Sequence, residues 1–240
     1  MLTHECKGNA SYKHLSIKQE NIDLYYKNKS RIFATVPSFL NDLTEGLLLP
    51  QALNLCGVSQ SVISTLLSCS GFPYIVSLCE KNDDLNMWRC YAAEGKGVTI
   101  EFKKSTLDDI FGENLKKCIY KSPEDLKNHI ESYLEVKPFN SKNDILPLAR
   151  ILHNCCIYKH ISFKDENEWR IIKHDTTDKF RLAATGIVPY YEFKIHVNAI
   201  VSIKLGPKCE YTRNIFAIKE FLKTKGLQNV KVEISSIPLC

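Results

Sequence analysis

The sequence predicts an α+β protein formed by a single domain over residues 1–240. Strand-like and helix-like segments alternate irregularly along the chain, which favours α+β over a doubly wound α/β fold. The sequence contains neither G-x-G-x-x-G nor a P-loop, so classical dinucleotide and nucleoside-triphosphate folds are excluded. Repeats, low-complexity tracts and linker-like stretches are also missing, which supports one domain.

Turn residues, helix caps and the spacing of apolar residues define the elements in order. Short segments with β-branched, aromatic or alternating apolar residues predict strands at 11–15, 31–36, 74–79, 97–102, 168–173, 190–195, 199–205 and 230–234. Ser16 and Gln19 form a capping box, and Ser122 precedes Pro123 at another helix start. Helices are predicted after residue 16, at 46–70, at 84–94, after residue 122, at 144–160 and at 212–225.

Composition limits the class of protein and its partners. The net charge of +5 is compatible with a nucleotide or nucleic-acid partner but does not require one. Ten cysteines without any C-x-x-C spacing predict free thiols and no metal site. A polar N-terminus without a signal peptide then predicts a cytoplasmic protein. The apolar-rich stretch 47–78 is broken by Pro and Gly, so no membrane span is expected.

Four stretches place polar groups at the ends of apolar elements. They are Tyr12-Lys13-His14, residues 39–45 (F-L-N-D-L-T-E), residues 87–102 (M-W-R-C-Y-A-A-E-G-K-G-V-T-I-E-F) and residues 165–171 (D-E-N-E-W-R-I). In this order and spacing they resemble a bacterial family known as domain of unknown function 2971. The resemblance runs from about Tyr12 to Gly206. It departs from the family pattern at Leu43, where proline is expected, and at Cys79, where serine is usual.

The order of these boxes is also similar to that of ADP-ribosyltransferases, including toxins that modify DNA. This resemblance implies an ADP-ribosyltransferase-like fold, with a split mixed and antiparallel sheet flanked by helices. It implies NAD as the substrate and a macromolecular acceptor, in a toxin or phage-defence effector that an antitoxin could inhibit. The positive charge slightly favours nucleic acid over protein as that acceptor.

The implied chemistry needs a carboxylate beside the ribose of NAD. Cleavage of the nicotinamide–ribose bond develops positive charge, as glycoside hydrolysis does, and a carboxylate stabilises that charge. The resemblance assigns this role to Glu168 and the first position of an E-x-E pair to Glu166. In a strand, both would share a face with Arg170. An exposed strand position would tolerate Glu168→Gln within roughly 0.5 kcal/mol. The alternative is a surface Glu–Arg pair without chemistry.

Four further residues are predicted to bind NAD. The resemblance makes Tyr91 the ring that stacks on nicotinamide, and it makes Tyr12 and His14 ribose anchors on the first strand. Asn41 in the second box is a further candidate for contact. Each has a structural alternative: Tyr91 can pack with Trp88 on one helix face, and Asn41 can cap a helix.

Two other functions remain open from the sequence. The first is a metal-dependent nuclease with Asp42, Glu45 and Glu168 around a divalent cation, and a requirement for metal would identify it. The second is a non-catalytic module that binds nucleic acid or a partner protein, although a face rich in carboxylates disfavours phosphate binding.

Overall fold

The computed structural model describes residues 11–15, 22–25, 29–37, 46–70, 73–134, 151, 153–177, 179–183 and 186–238. The predicted α+β class is confirmed. The strands are β1 Ser11–Leu15, β2 Ile22–Tyr25, β3 Lys29–Thr35, β4 Tyr74–Cys79, β5 Val98–Phe102, β6 Leu115–Lys117, β7 Ile119–Lys121, β8 Tyr158–His160, β9 Glu168–Lys173, β10 Phe180–Ala183, β11 Gly186–His196, β12 Ile200–Leu205 and β13 Lys231–Ile234. The helices are α1 Leu48–Leu55, α2 Gln60–Ser70, α3 Leu85–Tyr91, α4 Lys104–Phe111, α5 Pro123–Leu134 and α6 Tyr211–Thr224.

Eleven of these strands form one mixed sheet that branches at β4. Along its whole length β4 pairs antiparallel with β9, from Tyr74 opposite Lys173 to Cys79 opposite Glu168. The other edge of β4 is shared, because β3 pairs with it at Ile75 and β1 pairs with it at Cys79. From β1 the sheet continues through β5, β12 and β13, and from β3 it continues through β11 and β10. Strands β7 and β8 form a separate parallel pair.

Two apolar clusters cover the opposite faces of β4 and β9. Val76 and Ile171 belong to a large cluster that also contains side chains of β5, β12 and α6. Ile75 and Ile172 belong to a second cluster with side chains of α1, α2 and α5. Since successive strand residues point to opposite faces, both strands are covered on two sides. Strand β4 reads as a nearly continuous apolar run, whereas β9 also contains the buried charged residues Glu168 and Arg170.

Helix α3 begins and packs as its sequence predicts. The Asp84 carboxylate accepts hydrogen bonds from the backbone amides of Asn86 and Met87, which caps the helix start. Trp88 is completely buried, and its indole N–H donates to Asp83 Oδ1 at 2.7 Å. Burial and this hydrogen bond of Trp88 therefore hold α3 in place. Within the described residues, each helix is too short or too polar to cross a lipid bilayer.

Several predicted boundaries differ from the observed ones. The single helix predicted over 46–70 is two helices, α1 and α2, separated by a turn at Cys56 and Gly57. The end of the helix predicted over 144–160 is wrong: Cys155–Ile157 is a 3₁₀ turn, and β8 follows it. Helix α4, with Leu107 and Phe111 buried four residues apart, was not predicted. The capping box at Ser16 and Gln19 lies outside the described residues.

Gly206 lies against the turn between α3 and β5, where a larger residue cannot fit. Its N–H donates to the Gly97 carbonyl at 2.9 Å, and a Cβ at this position would clash with the Gly95 carbonyl. We expect Gly206→Ala to lower the free energy of unfolding by about 1–3 kcal/mol in a urea titration, because backbone cannot move aside as a side chain can. Gly226→Ala is the comparison, since its φ of +70° adds backbone strain without any clash. A neutral Gly206→Ala variant would contradict this packing.

Candidate functional site

Four charged side chains meet at the start of β9 and form what we call the ion cluster: Lys159, Glu166, Glu168 and Arg170. Lys159 lies on β8, Glu166 ends the 3₁₀ helix Ile161–Glu166, and the other two lie on β9. Two carboxylates and two cations give the cluster no net formal charge. It lies on the same face of β9 as Ile172, which packs with α1 and α5 in the second apolar cluster.

Both oxygens of Glu168 are occupied by buried cations. The Arg170 guanidinium donates from Nε to Oε1 at 2.7 Å and from Nη2 to Oε2 at 3.1 Å. Lys159 Nζ donates to the same Oε2 at 2.8 Å. The Glu168 residue is only 4% exposed and Arg170 only 1% exposed. Burial alone would raise the pKa of Glu168, but Arg170 and Lys159 outweigh it and lower this pKa to about 2.

Lys159 joins the two carboxylates. Its Nζ also donates to Glu166 Oε2 at 2.6 Å, and the ammonium lies 4.9 Å from the centre of the Phe163 ring. The Lys159 side chain is 5% exposed, so its charge depends on these partners for stabilisation. Lys159 therefore fixes the distance between Glu166 and Glu168.

Glu166 is the carboxylate of the cluster that solvent can reach. Its side chain is 17% exposed, compared with 5% for Glu168. The Tyr91 hydroxyl at the end of α3 donates to Glu166 Oε1 at 3.0 Å. Burial, followed by the negative charge of Glu166, raises the pKa of Tyr91. Tyr91 therefore stays protonated and holds Oε1 of Glu166, while Lys159 holds Oε2.

The backbone around Asn167 explains why two carboxylates converge on one lysine. Asn167 has a left-handed conformation with φ 45°, which ends the 3₁₀ helix and turns the chain into β9. The N–H of Glu168 then donates to the Tyr120 hydroxyl oxygen at 2.7 Å, and its carbonyl accepts from the Cys118 N–H at 2.9 Å. These bonds hold the start of β9 in place.

The predicted exposure of Glu168 is wrong. The sequence pattern correctly places Glu168 and Arg170 on one face of a strand, but that face is covered by α1, α5 and β8 rather than by water. Glu166 precedes the strand instead of continuing it. Glu168→Gln consequently removes a buried charge between two buried cations, so the tolerance expected for an exposed position does not apply.

The structure brings three of the predicted residues together and leaves the others without side-chain detail. Tyr91, Glu166 and Glu168 share the site described above. Tyr12 and His14 lie on β1, where Tyr12 is opposite Cys79, the residue that is itself opposite Glu168. Their side chains, and all of Asn41, lie outside what the structure describes.

Residues 87–171 match the family model described as protein of unknown function (DUF2971). This segment is similar to the DUF2971 family. It begins in α3, four residues before Tyr91, and ends in β9, one residue after Arg170. The whole ion cluster therefore lies in the matched part of the chain. No curated protein and no solved structure matches the chain.

Two residues of the DUF2971 segment that complete the site were not predicted as part of it. Lys159 lies on a strand of three residues that shows no alternation of apolar and polar side chains. Lysines are mostly exposed, so nothing in the sequence indicates that this one is buried. Arg170 was identified only as a neighbour of Glu168 on the strand. Its position two residues after a glutamate in an apolar strand was the available signal.

Cys79, at the position where the DUF2971 pattern usually has serine, is not a reactive group. It is 2% exposed, and its Sγ contacts the backbone of Lys81 at 3.3 Å. Burial raises the pKa of its thiol to about 12. In the part of the chain that the structure describes, no group of three or more His, Cys, Asp or Glu side chains could hold a metal ion. Asp42 and Glu45, needed for the nuclease hypothesis, lie outside that part.

Proposed function

We propose that this protein is an ADP-ribosyltransferase-like enzyme that cleaves NAD and transfers ADP-ribose to a macromolecule. The observation that carries the proposal is Glu166, a solvent-accessible carboxylate held between the Tyr91 hydroxyl at 3.0 Å and the Lys159 ammonium at 2.6 Å. A carboxylate fixed in this way is positioned to stabilise charge that develops on a bound ligand.

The proposal assigns to Glu166 the charge-stabilising role that the resemblance assigns to Glu168. A group that stabilises an oxocarbenium-like ribose must reach the substrate, and Glu166 has the exposed surface to do so. Glu168 has both oxygens bound to cations, so it is a positioning residue that holds Lys159. Tyr91 donates its hydroxyl to Glu166, and its ring remains the candidate for stacking on nicotinamide.

The order of strands supports an NAD site beside Glu166. The first box lies on β1, the third covers α3, which supplies Tyr91, and β5, and the fourth extends into β9. Strand β1 pairs with β5 and with β4, and β4 pairs with β9, so these boxes lie on neighbouring parts of one sheet. The branch at β4, where β1 and β3 diverge from one edge, is compatible with the split sheet of an ADP-ribosyltransferase-like fold. Tyr12 and His14 on β1 are therefore retained as candidate ribose anchors.

The net charge of the protein and its resemblance to toxins guide the choice of the macromolecule that accepts ADP-ribose. The net charge of +5 favours nucleic acid over protein, because a positive surface attracts phosphates. In a toxin or phage-defence effector, such a modification would block use of the nucleic acid, and an antitoxin would need to cover Glu166.

NAD binding and transfer test this proposal directly. Saturating NAD, at about 100 times its dissociation constant, should raise the melting temperature by about 5–10 °C, because it binds only the folded state. Incubation with NAD labelled on the adenylate and with total cell extract, in EDTA, should release nicotinamide and label one of the protein, RNA or DNA fractions. A melting curve unmoved by NAD but shifted by Mg²⁺ or Mn²⁺, with cleavage of nucleic acid, would instead support the nuclease.

A further inference from the structure

A pair of adjacent thiols lies behind the ion cluster. Cys155 and Cys156 form the start of the 3₁₀ turn before β8, and their Sγ atoms are 3.5 Å apart. They are 4% and 1% exposed and belong to the second apolar cluster. Neither forms a disulfide, and nothing in the proposed transfer reaction uses them.

The backbone of this pair is bonded directly to the parts that hold Glu168. The Cys156 carbonyl accepts from Arg170 Nη1 at 2.7 Å. The Cys155 carbonyl accepts from the Tyr158 N–H, and this bond directs the chain into β8 immediately before Lys159. A change in the peptide between the two cysteines therefore acts on both cations of the ion cluster.

The surroundings of Cys155 favour its reactive form. A hydrogen bond from the Cys156 thiol lowers the pKa of Cys155, and the positive charge of Arg170 lowers it further against the effect of burial. The thiolate is the nucleophile in oxidation and in disulfide formation, so Cys155 is the attacking sulfur and Cys156 the resolving one.

We propose that Cys155 and Cys156 form a redox-sensitive dithiol that a hydroperoxide oxidises to a disulfide, and that this oxidation loosens the ion cluster. The Cys155 thiolate attacks the peroxide oxygen and becomes a sulfenic acid, while the O–O bond breaks and one water is released. The Cys156 sulfur then displaces the hydroxyl as a second water and the S–S bond forms. Two thiols are oxidised and one hydrogen peroxide is reduced to two waters, and an organic hydroperoxide releases an alcohol in place of the first water.

Geometry makes this disulfide both disruptive and reversible. Consecutive Cα atoms are about 3.8 Å apart, whereas bridged cysteines usually have Cα atoms about 4.4–6.8 Å apart. The bond can form only if the intervening peptide twists, which moves the Cys155 carbonyl away from the Tyr158 N–H. A strained disulfide is readily reduced, as a regulatory one must be.

Peptide mapping tests the chemistry. Trypsin cleavage after Arg150 and Lys159 releases residues 151–159, which contain both cysteines and no others. After the protein is treated with hydrogen peroxide and then with N-ethylmaleimide, this peptide should carry no maleimide. Its mass should be two hydrogen atoms below that of the peptide with two reduced thiols, and dithiothreitol should restore both thiols. A peptide with two maleimides, or one with only sulfinic or sulfonic acid, would overturn the proposal.

Thermal unfolding tests the link to the ion cluster and does not depend on NAD. The oxidised protein should melt about 4 °C or more below the reduced protein, and dithiothreitol should reverse the shift. Cys156→Ser should abolish the reversible shift, whereas Cys118→Ser, a buried cysteine outside the pair, should keep it. A mapped disulfide without a change in melting temperature would refute the link. If Cys156→Ser does not fold, two wild-type measurements still test the proposal: the disulfide mapped in peptide 151–159 and the reversible shift in the melting temperature of the protein.

Discussion

Replacing Glu168 by Gln is expected to lower the free energy of unfolding by about 3–5 kcal/mol, because it breaks a buried ion pair and leaves its partners uncompensated. Arg170 and Lys159 are almost fully buried, and the remaining carboxylate of the cluster, Glu166, contacts Lys159. Urea unfolding followed by circular dichroism measures the loss. Glu113→Gln is the matched control, since Glu113 is exposed and its replacement should cost less than about 0.5 kcal/mol.

The pH dependence of this difference gives a second measurement of the same group. In the folded state the pKa of Glu168 is about 2, below its ordinary value of 4.5. Its contribution to stability is therefore complete above pH 4.5 and is lost as the pH falls towards 2. The difference in the free energy of unfolding between the wild type and Glu168→Gln should therefore narrow as the pH falls from 4.5 towards 2. A gap below about 1 kcal/mol at neutral pH would show that the ion cluster is not a stabilising unit.

Replacing Glu166 by Gln should reduce ADP-ribose transfer by about 10²–10⁴-fold while the protein still folds, if the proposed function is correct. The amide keeps the size of the side chain and removes the charge that the ribose requires. Lys159 keeps Glu168 as its partner, so the cost in stability should be about 1–2 kcal/mol. Release of nicotinamide under single-turnover conditions measures the effect.

Two comparisons make this result specific to Glu166. Glu113→Gln should retain wild-type transfer, and Glu166→Gln should retain the increase in melting temperature that NAD produces. Full transfer activity in Glu166→Gln would refute its role, and loss of the NAD-dependent increase would assign Glu166 to binding instead. If neither the wild type nor the variant releases nicotinamide, the transferase itself is refuted.

Elements with buried apolar patterns were predictable from the sequence. The strands predicted at 74–79 and 168–173 agree with β4 and β9. Strand β4 is apolar at nearly every position, and β9 contributes Ile171 and Ile172 to the two apolar clusters. The resemblance to the family was predictable because its boxes are local, and the match over 87–171 confirms it for the third and fourth boxes. The proximity of Tyr91 to Glu166 also agrees with the predicted site.

What the sequence could not provide was the environment of each charge. Glu168 and Arg170 have the alternating positions of an exposed ion pair, and only the packing of distant segments shows that they are buried. Lys159 enters the site through a turn of the chain at Cys155–Ile157, in a segment whose apolar content predicts a helix. Non-local contacts override local propensity at these positions.

The branch at β4 has a consequence for the order in which the site can form during synthesis. The chain must extend to Lys173 before one edge of β4 has its partner, although β1 and β3 are made much earlier. Until then the edge displays unpaired backbone groups between two apolar faces, a template on which another chain can pair. The strand that delivers Glu168 is thus also the strand that covers this edge, so a chain in which β9 has not yet paired lacks the ion cluster and has an exposed β4 edge.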